Sequence, residues 1–125
     1  MNDNIPTKYL IHLIFALYLF SYLFSFLINP GIPERKYYNS KNKQSDNNYK
    51  KCKKCNILVP IEFGIGHCID CDICIKKHDH HCSWIGKCIG EGNYFAFHLY
   101  ICSFFLFLII LILSIVLIFY QKFKS

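Results

Sequence analysis

The sequence predicts an α-helical membrane protein in which two transmembrane helices flank a small zinc-bound cysteine-rich domain of loops and short hairpins. Three observations lead there. Two long blocks carry no charge at all. The segment between them is polar and basic. Seven of the eight cysteines fall inside that segment at C-x-x-C spacings. The 125 residues suffice for one small domain at most. A hydrophobic content of 54% alongside 14 basic and 8 acidic residues is not an average globular composition. It reflects apolar and polar blocks kept apart along the chain.

The first helix is expected over residues 9–28. No charge occurs from Tyr9 to Pro33, and the 19 residues from Leu10 to Ile28 are interrupted only by His12, Ser21, Ser25 and the tyrosines. At about 1.5 Å per residue this run nearly spans a hydrocarbon core of about 30 Å. A cleaved signal peptide fits poorly, because the run is longer than a typical h-region and no small-residue cleavage site follows. Asn29-Pro30-Gly31 ends the helix: proline restricts the residue before it, and glycine accepts a turn. The second helix is expected over residues 94–120, again without charge and long enough to span with tilt. Core helices of soluble proteins are seldom this apolar on every side.

Residues 29–93 hold 11 Lys+Arg and 7 Asp+Glu, a net charge of +4. By the positive-inside rule this segment lies in the cytosol, with both termini across the membrane. Lys8, Lys122 and Lys124 oppose that assignment, eleven basic residues against three. A basic segment tied to two membrane helices meets anionic headgroups rather than nucleic acid, and pinning between two spans excludes a nucleic-acid-binding finger. Residues 29–51 read as a juxtamembrane turn and a flexible polar linker. Residues 52–93 form the dense domain.

Its cysteines are Cys52, Cys55, Cys68, Cys71, Cys74, Cys82 and Cys88; Cys102, in the second apolar block, reads as a packing residue. Small cysteine-rich domains are held by disulfides outside the cell and by metal inside it, so the cytosolic assignment favours metal. Cys52-x-x-Cys55, Cys68-x-x-Cys71 and Cys71-x-x-Cys74 are knuckle spacings, in which a tight turn aims two thiolates at one ion. Zinc takes four Cys or His donors in a tetrahedron. Two Cys3His sites would consume six of the seven cysteines and two of His67, His78, His80 and His81. One cysteine would remain, and spacing alone does not say which.

The stretches "CKKC" at 52–55, "HCIDCDIC" at 67–74, "DHHC" at 79–82 and "CIG" at 88–90, with Asn93 and Phe97, resemble the cysteine-rich domain of the DHHC protein S-acyltransferases, or palmitoyltransferases. From Cys68 onward every spacing agrees with that family's pattern, and Asn29-Pro30-Gly31 looks like a variant of its Asp-Pro-Gly motif. The resemblance implies two structural zinc ions. One would be held by Cys52, Cys55, His67 and Cys74. The other would be held by Cys68, Cys71, His81 and Cys88. It further implies that Cys82 is the nucleophile, that His80 takes its proton, and that Asp79 orients His80. The acyl donor would be palmitoyl-CoA or another long-chain acyl-CoA. The partners would be the lipid bilayer and membrane-associated proteins with cytosolic cysteines, with no nucleic acid. The location would be an endomembrane, endoplasmic reticulum or Golgi.

The chemistry fits that division. A thiol of pKa about 8.5 is mostly protonated at neutral pH; an adjacent imidazole oriented by a carboxylate supplies the missing base. Zinc with four protein ligands has no open position and acts structurally. The sequence departs from the family pattern at several points. Eleven residues separate Cys55 from His67, where nine are usual. Ser83 replaces a proline and Lys87 an asparagine. Two membrane helices stand where the family has four or more, so partner helices would have to complete the bundle. The alternative is a catalytically inactive zinc-binding membrane adaptor, or a fragment of a longer acyltransferase. His78 is expected to be solvated, Trp84 to be a packing or interfacial anchor, and Lys50, Lys51, Lys53 and Lys54 to be a solvated or lipid-facing charge run.

Overall fold

The computed structural model describes residues 5–34, 37 and 47–124. The chain divides into two compact units, residues 1–25 with 96–125, and residues 26–95. The first is built from helices α1 (Ile5–Leu27) and α2 (Tyr94–Lys124). Within them Lys8–Leu27 and Tyr94–Lys124 are long and apolar enough to cross a membrane. Helix α2 runs four residues beyond the expected end at 120, because Lys122 and Lys124 in its last turn suit the negative end of the helix dipole.

Small and aromatic residues join the two helices. Ser21 and Ser25 of α1 and Ala96 and Ser103 of α2 are buried, as is Tyr100, and the small side chains among them let two backbones approach closely. The hydroxyls of Ser21 and Ser103 lie 2.6 Å apart. Each is also 2.8 Å from a carbonyl of its own helix, Tyr18 for Ser21 and Tyr100 for Ser103. With one proton apiece, one serine donates across the contact while the other donates to its own carbonyl. Tyr18 stacks on Phe107 with ring planes 12° apart and touches the rings of Tyr100 and Phe104. Elsewhere the pair exposes large apolar side chains, among them Phe20, Leu23, Ile109, Ile112 and Val116. Soluble monomers rarely show contiguous apolar surface on that scale.

The second unit contains three separate two-stranded antiparallel hairpins. Strand β1 (Tyr49–Cys52) pairs with β2 (Ile57–Pro60), β3 (Gly66–Cys68) with β4 (Ile73–Ile75), and β5 (His80–Cys82) with β6 (Lys87–Ile89). Strand β1 starts three residues before the expected domain boundary, because Tyr49, Lys50 and Lys51 pair with Pro60, Val59 and Leu58. The rest of the expected linker falls largely outside the described residues. A 3-10 turn, Ile61–Phe63, follows β2. Hydrocarbon is scarce: Ile57, Val59, Ile75 and Ile89 are the largest fully buried aliphatic side chains. Taken together, the two buried clusters consist as much of cysteine as of aliphatic residues, Ile57 and Val59 with Cys74, and Ile75 with Cys68 and Cys88.

Residues 29–31 are stitched to the hairpins. The Asn29 Oδ1 accepts from the Gly31 and Ile32 N–H groups at 2.8 and 2.9 Å, a local turn that an aspartate would make equally well. The Gly31 carbonyl accepts from Lys76 N–H at 2.9 Å, and the Pro30 carbonyl from Gly92 N–H at 3.2 Å. Gly90 and Gly92 are required by this close approach. A Cβ at 92 would collide with the Asn29 carbonyl oxygen, and one at 90 with Ile75 and with the Pro30 oxygen at 2.6 Å. Backbone cannot yield as a flexible side chain can. Gly92→Ala is therefore expected to lower stability by at least about 1–3 kcal/mol, the usual cost of overpacking. Denaturant unfolding of the metal-loaded chain measures it, and a loss below about 0.5 kcal/mol would contradict the contact.

Candidate metal centres and reactive cysteine

Cross-strand pairing assembles the donors. In β3–β4 His67 stands opposite Cys74, and in β5–β6 His81 stands opposite Cys88. Directly opposed residues project to one face with Cβ atoms about 4.5–5.5 Å apart, so each hairpin offers one imidazole and one thiol side by side. The turns offer thiols in pairs: Cys52 with Cys55, and Cys68 with Cys71. The turn of the first hairpin meets the cross-strand pair of the second, and the turn of the second meets the pair of the third. The result is two sets of four, Cys52, Cys55, His67 and Cys74, and Cys68, Cys71, His81 and Cys88. In each set one donor atom per residue lies within 4.8 Å of all the others.

The distances suit a metal ion. His67 Nδ1 is 3.2 Å from Cys55 Sγ and 3.8 Å from the sulfurs of Cys52 and Cys74. His81 Nδ1 is 3.3, 3.7 and 3.8 Å from Cys71, Cys68 and Cys88. A tetrahedron with bonds of about 2.0–2.3 Å places its donors roughly 3.5–3.8 Å apart. Burial, and then the sulfurs of Cys52 and Cys55, push the Cys74 thiol far up from its ordinary value; burial and the sulfurs of Cys68 and Cys71 do the same to Cys88. Burial also opposes ionisation of Cys52 and Cys68. Hydrogen bonds to their sulfurs, led by the N–H groups of Cys55 and Cys71, outweigh it and hold both thiols low. Three sulfurs crowded around one imidazole are a donor set that a soft dication neutralises. None of the eight cysteines is in a disulfide.

Cys82 belongs to neither set. It ends β5, buried, with Lys87 opposite it on β6. Alternation along the strand sends His81 to one face and His80 with Cys82 to the other. His80 is exposed, and its Nδ1 lies 3.3 Å from Asp79 Oδ2. Asp79 is itself fixed by its N–H donating to the Ile89 carbonyl at 2.9 Å. Adjacent histidines in one strand thus serve opposite faces. One faces three sulfurs, and the other stands with a carboxylate on the side of the remaining thiol.

Several supporting residues have roles that the motif alone did not show. Lys87 Nζ donates to the carbonyls of Phe26 and Ile28, at 2.5 and 2.6 Å, tying the Cys82 hairpin to the first residues of its own unit. Desolvation by burial lowers the Lys87 ammonium from its ordinary value. Its mismatch with the family pattern was the only sequence signal. Asn93 is fully buried; its Oδ1 accepts from Gly90 N–H and its Nδ2 donates to the Cys88 carbonyl, both at 3.0 Å. That side chain locks the exit of β6 beside a metal donor. His78 is not solvated as expected: it packs on Gly66, where a Cβ would fall 2.7 Å from its own, and its Nε2 is buried. Trp84 is 81% exposed, so it does not pack against the described residues as one of its two expected roles required.

Two helices able to cross a membrane that flank, in sequence, hairpins that converge two Cys3His sets and leave Cys82 of the Asp79–Cys82 run outside both, define a class. The model of the DHHC palmitoyltransferase family matches residues 45–125, and the chain belongs to that family. Among curated relatives, it is 42% identical over 66 residues to palmitoyltransferase ZDHHC9 of Pongo abelii, covering 50% of this chain and 18% of that protein. It is 31% identical over 109 residues to palmitoyltransferase ERF2 of Kluyveromyces lactis, covering 71% and 30%. It is 45% identical over 53 residues to palmitoyltransferase SWF1 of Saccharomyces cerevisiae, covering 42% and 15%. The chain spans less than a third of the length of these relatives.

Proposed function

We propose that this chain carries the acyl-transfer centre of a protein S-palmitoyltransferase, embedded in a membrane by α1 and α2 with the hairpins in the cytosol. The observation that carries the reading is the exclusion of Cys82 from both donor sets, on the strand face it shares with His80. The basic bias of residues 29–93 supports the cytosolic placement. The two sets are assigned to zinc, which supplies rigidity to the hairpins and no open coordination position.

In the first half-reaction His80 takes the proton of Cys82, and Asp79 holds the imidazole and stabilises its charged form. The Cys82 thiolate attacks the thioester carbonyl carbon of a long-chain acyl-CoA. The carbon–sulfur bond to CoA breaks, and the CoA thiolate leaves with the proton held on His80. In the second half the thiolate of a target cysteine attacks the Cys82 thioester, and Cys82 departs as thiolate. Both halves exchange one thioester for another, so no oxidant or energy source is needed. The targets would be proteins held at the membrane surface, and exposed Trp84 would sit among the headgroups.

Incubating the full chain in bilayers with labelled palmitoyl-CoA is expected to give a hydroxylamine-sensitive label that Cys82→Ser abolishes. Label surviving that substitution would point to nonspecific acylation, with exposed Cys102 the first suspect. No label on a chain that carries its metal, even with partner helices supplied, would select the alternative of a zinc-binding membrane adaptor.

A further inference from the structure

The three hairpins are one structural repeat, and the repeat explains why Cys82 is left without metal. Their turns align as Cys52-Lys53-Lys54-Cys55-Asn56-Ile57, Cys68-Ile69-Asp70-Cys71-Asp72-Ile73 and Cys82-Ser83-Trp84-Ile85-Gly86-Lys87. In each, the first and sixth residues are strand partners: Cys52 with Ile57, Cys68 with Ile73, and Cys82 with Lys87. In each, the fifth residue has positive φ, 52° at Asn56, 51° at Asp72 and 67° at Gly86. Non-glycine residues rarely adopt that backbone, so its recurrence at matched positions marks one turn built three times. The residue before the first turn cysteine, with its partner across the ladder, repeats as well: Lys51 with Leu58, His67 with Cys74, and His81 with Cys88.

Each metal set takes the turn of one hairpin and the cross-strand pair of the next. The first hairpin therefore contributes only its turn, and the second contributes turn and pair. The third contributes its pair, while its turn is half converted. Cys82 holds the position of Cys52 and Cys68. Ile85, only 3% exposed, holds the position of Cys55 and Cys71. After β6 the chain enters the Gly90–Asn93 turn and α2, so among the described residues no fourth hairpin brings another pair. The turn itself is intact: the Cys82 carbonyl accepts from Ile85 and Gly86 N–H at 3.2 and 2.8 Å.

We infer that Ile85 is the residue that reserves Cys82 for chemistry, by placing hydrocarbon where a metal knuckle needs its second soft donor. The ligand it excludes is a thiophilic dication such as zinc, cadmium or cobalt. The inference rests on reading the two donor sets as metal sites, and it deepens the proposed role of Cys82. The backbone that aims paired thiolates at an ion here presents a single thiolate, and one thiolate does not hold such an ion.

Ile85→Cys tests this in the full chain, reduced, in detergent or bilayers, and titrated with cadmium or cobalt. The bound metal is expected to rise by one ion per chain over the unsubstituted protein. Extra thiolate-to-cobalt absorption should accompany it. Alkylation of Cys82 by iodoacetamide should slow at least tenfold and recover when a mild chelator removes the added ion. Ile85→Ser, of similar size without a soft donor, should gain no ion. Ile85→His, a bulkier donor, should gain one and guards against a packing failure of the cysteine variant. An unchanged count in folded Ile85→Cys and Ile85→His would overturn the inference. Collapse of both variants would overturn it too, since a position equivalent to Cys55 and Cys71 must accept a donor side chain. Failure of the underlying reading looks different: the unsubstituted chain itself would hold fewer than two ions.

Discussion

Chelating the metal from the full chain is expected to unfold residues 49–93 while leaving α1 and α2 helical. The few large aliphatic side chains buried in this unit each contribute about 1.5–3 kcal/mol. Ordering the backbone costs about 1–2 kcal/mol for every residue, so that core does not suffice for a segment of this length. Metal capture by a Cys3His-type site supplies about 10–16 kcal/mol at neutral pH, and two sites decide the balance. Because β3–β4 serves both sets, loss of either ion also loosens the other. His67→Ala and Cys88→Ala should each release about one ion and expose hairpin amides to hydrogen exchange. Cys82→Ser should release none. Elemental analysis with exchange mass spectrometry reads both effects. An ion lost from Cys82→Ser would overturn the assignment of the reactive thiol, and hairpin protection that survives chelation would show that the core suffices alone.

The second large effect separates the neighbouring histidines of β5. His80→Ala should slow acyl loading of Cys82 by about 10²-fold or more, the usual contribution of a positioned base, with metal content unchanged. His81→Ala should release an ion and abolish loading through loss of the hairpin. Asp79→Asn should cost less than His80→Ala, because an amide can still orient the ring but stabilises its charged form poorly. Single-turnover labelling alongside zinc quantitation distinguishes these outcomes. If His80→Ala loses metal, the two histidines have been assigned to the wrong faces. If it loads at the unsubstituted rate, the proton leaves by another route.

Much of this arrangement can be read along the chain, because the relevant signals are local. Absence of charge over Tyr9–Pro33 and Tyr94–Tyr120 announces two helices without any knowledge of packing. The C-x-x-C spacing announces turns that pair thiols. Spacing could not say which turn joins which histidine, since that depends on the ladders that set His67 against Cys74 and His81 against Cys88. The quartets expected from the family resemblance are the ones that converge in space. What stayed hidden is long-range. Lys87 reaches carbonyls 61 and 59 residues away, and Gly90 and Gly92 leave room for Pro30 and Asn29. His78 escaped because the glycine that accommodates its ring, Gly66, lies twelve residues earlier, in β3. The early start of β1 escaped because Tyr49, Lys50 and Lys51 show no alternation of their own and are strand only through β2.

The interleaving of hairpins also sets an order of events during synthesis. Donors leave the ribosome in chain order, so the first quartet is complete once Cys74 has emerged, while the second waits for Cys88. Just before Cys88 appears, Cys68, Cys71 and His81 are out, and so is Cys82, a third thiol able to fill the fourth position on an ion that has only three of its partners. At about 5–20 residues per second the interval between Cys82 and Cys88 lasts on the order of a second or less. A nascent chain that captures metal with Cys82 must then surrender it to Cys88, and the ladder pairing His81 with Cys88 favours that exchange. If the second quartet holds a metal, the register that pairs His81 with Cys88 would decide that Cys88, and not Cys82, is the thiol that stays on it.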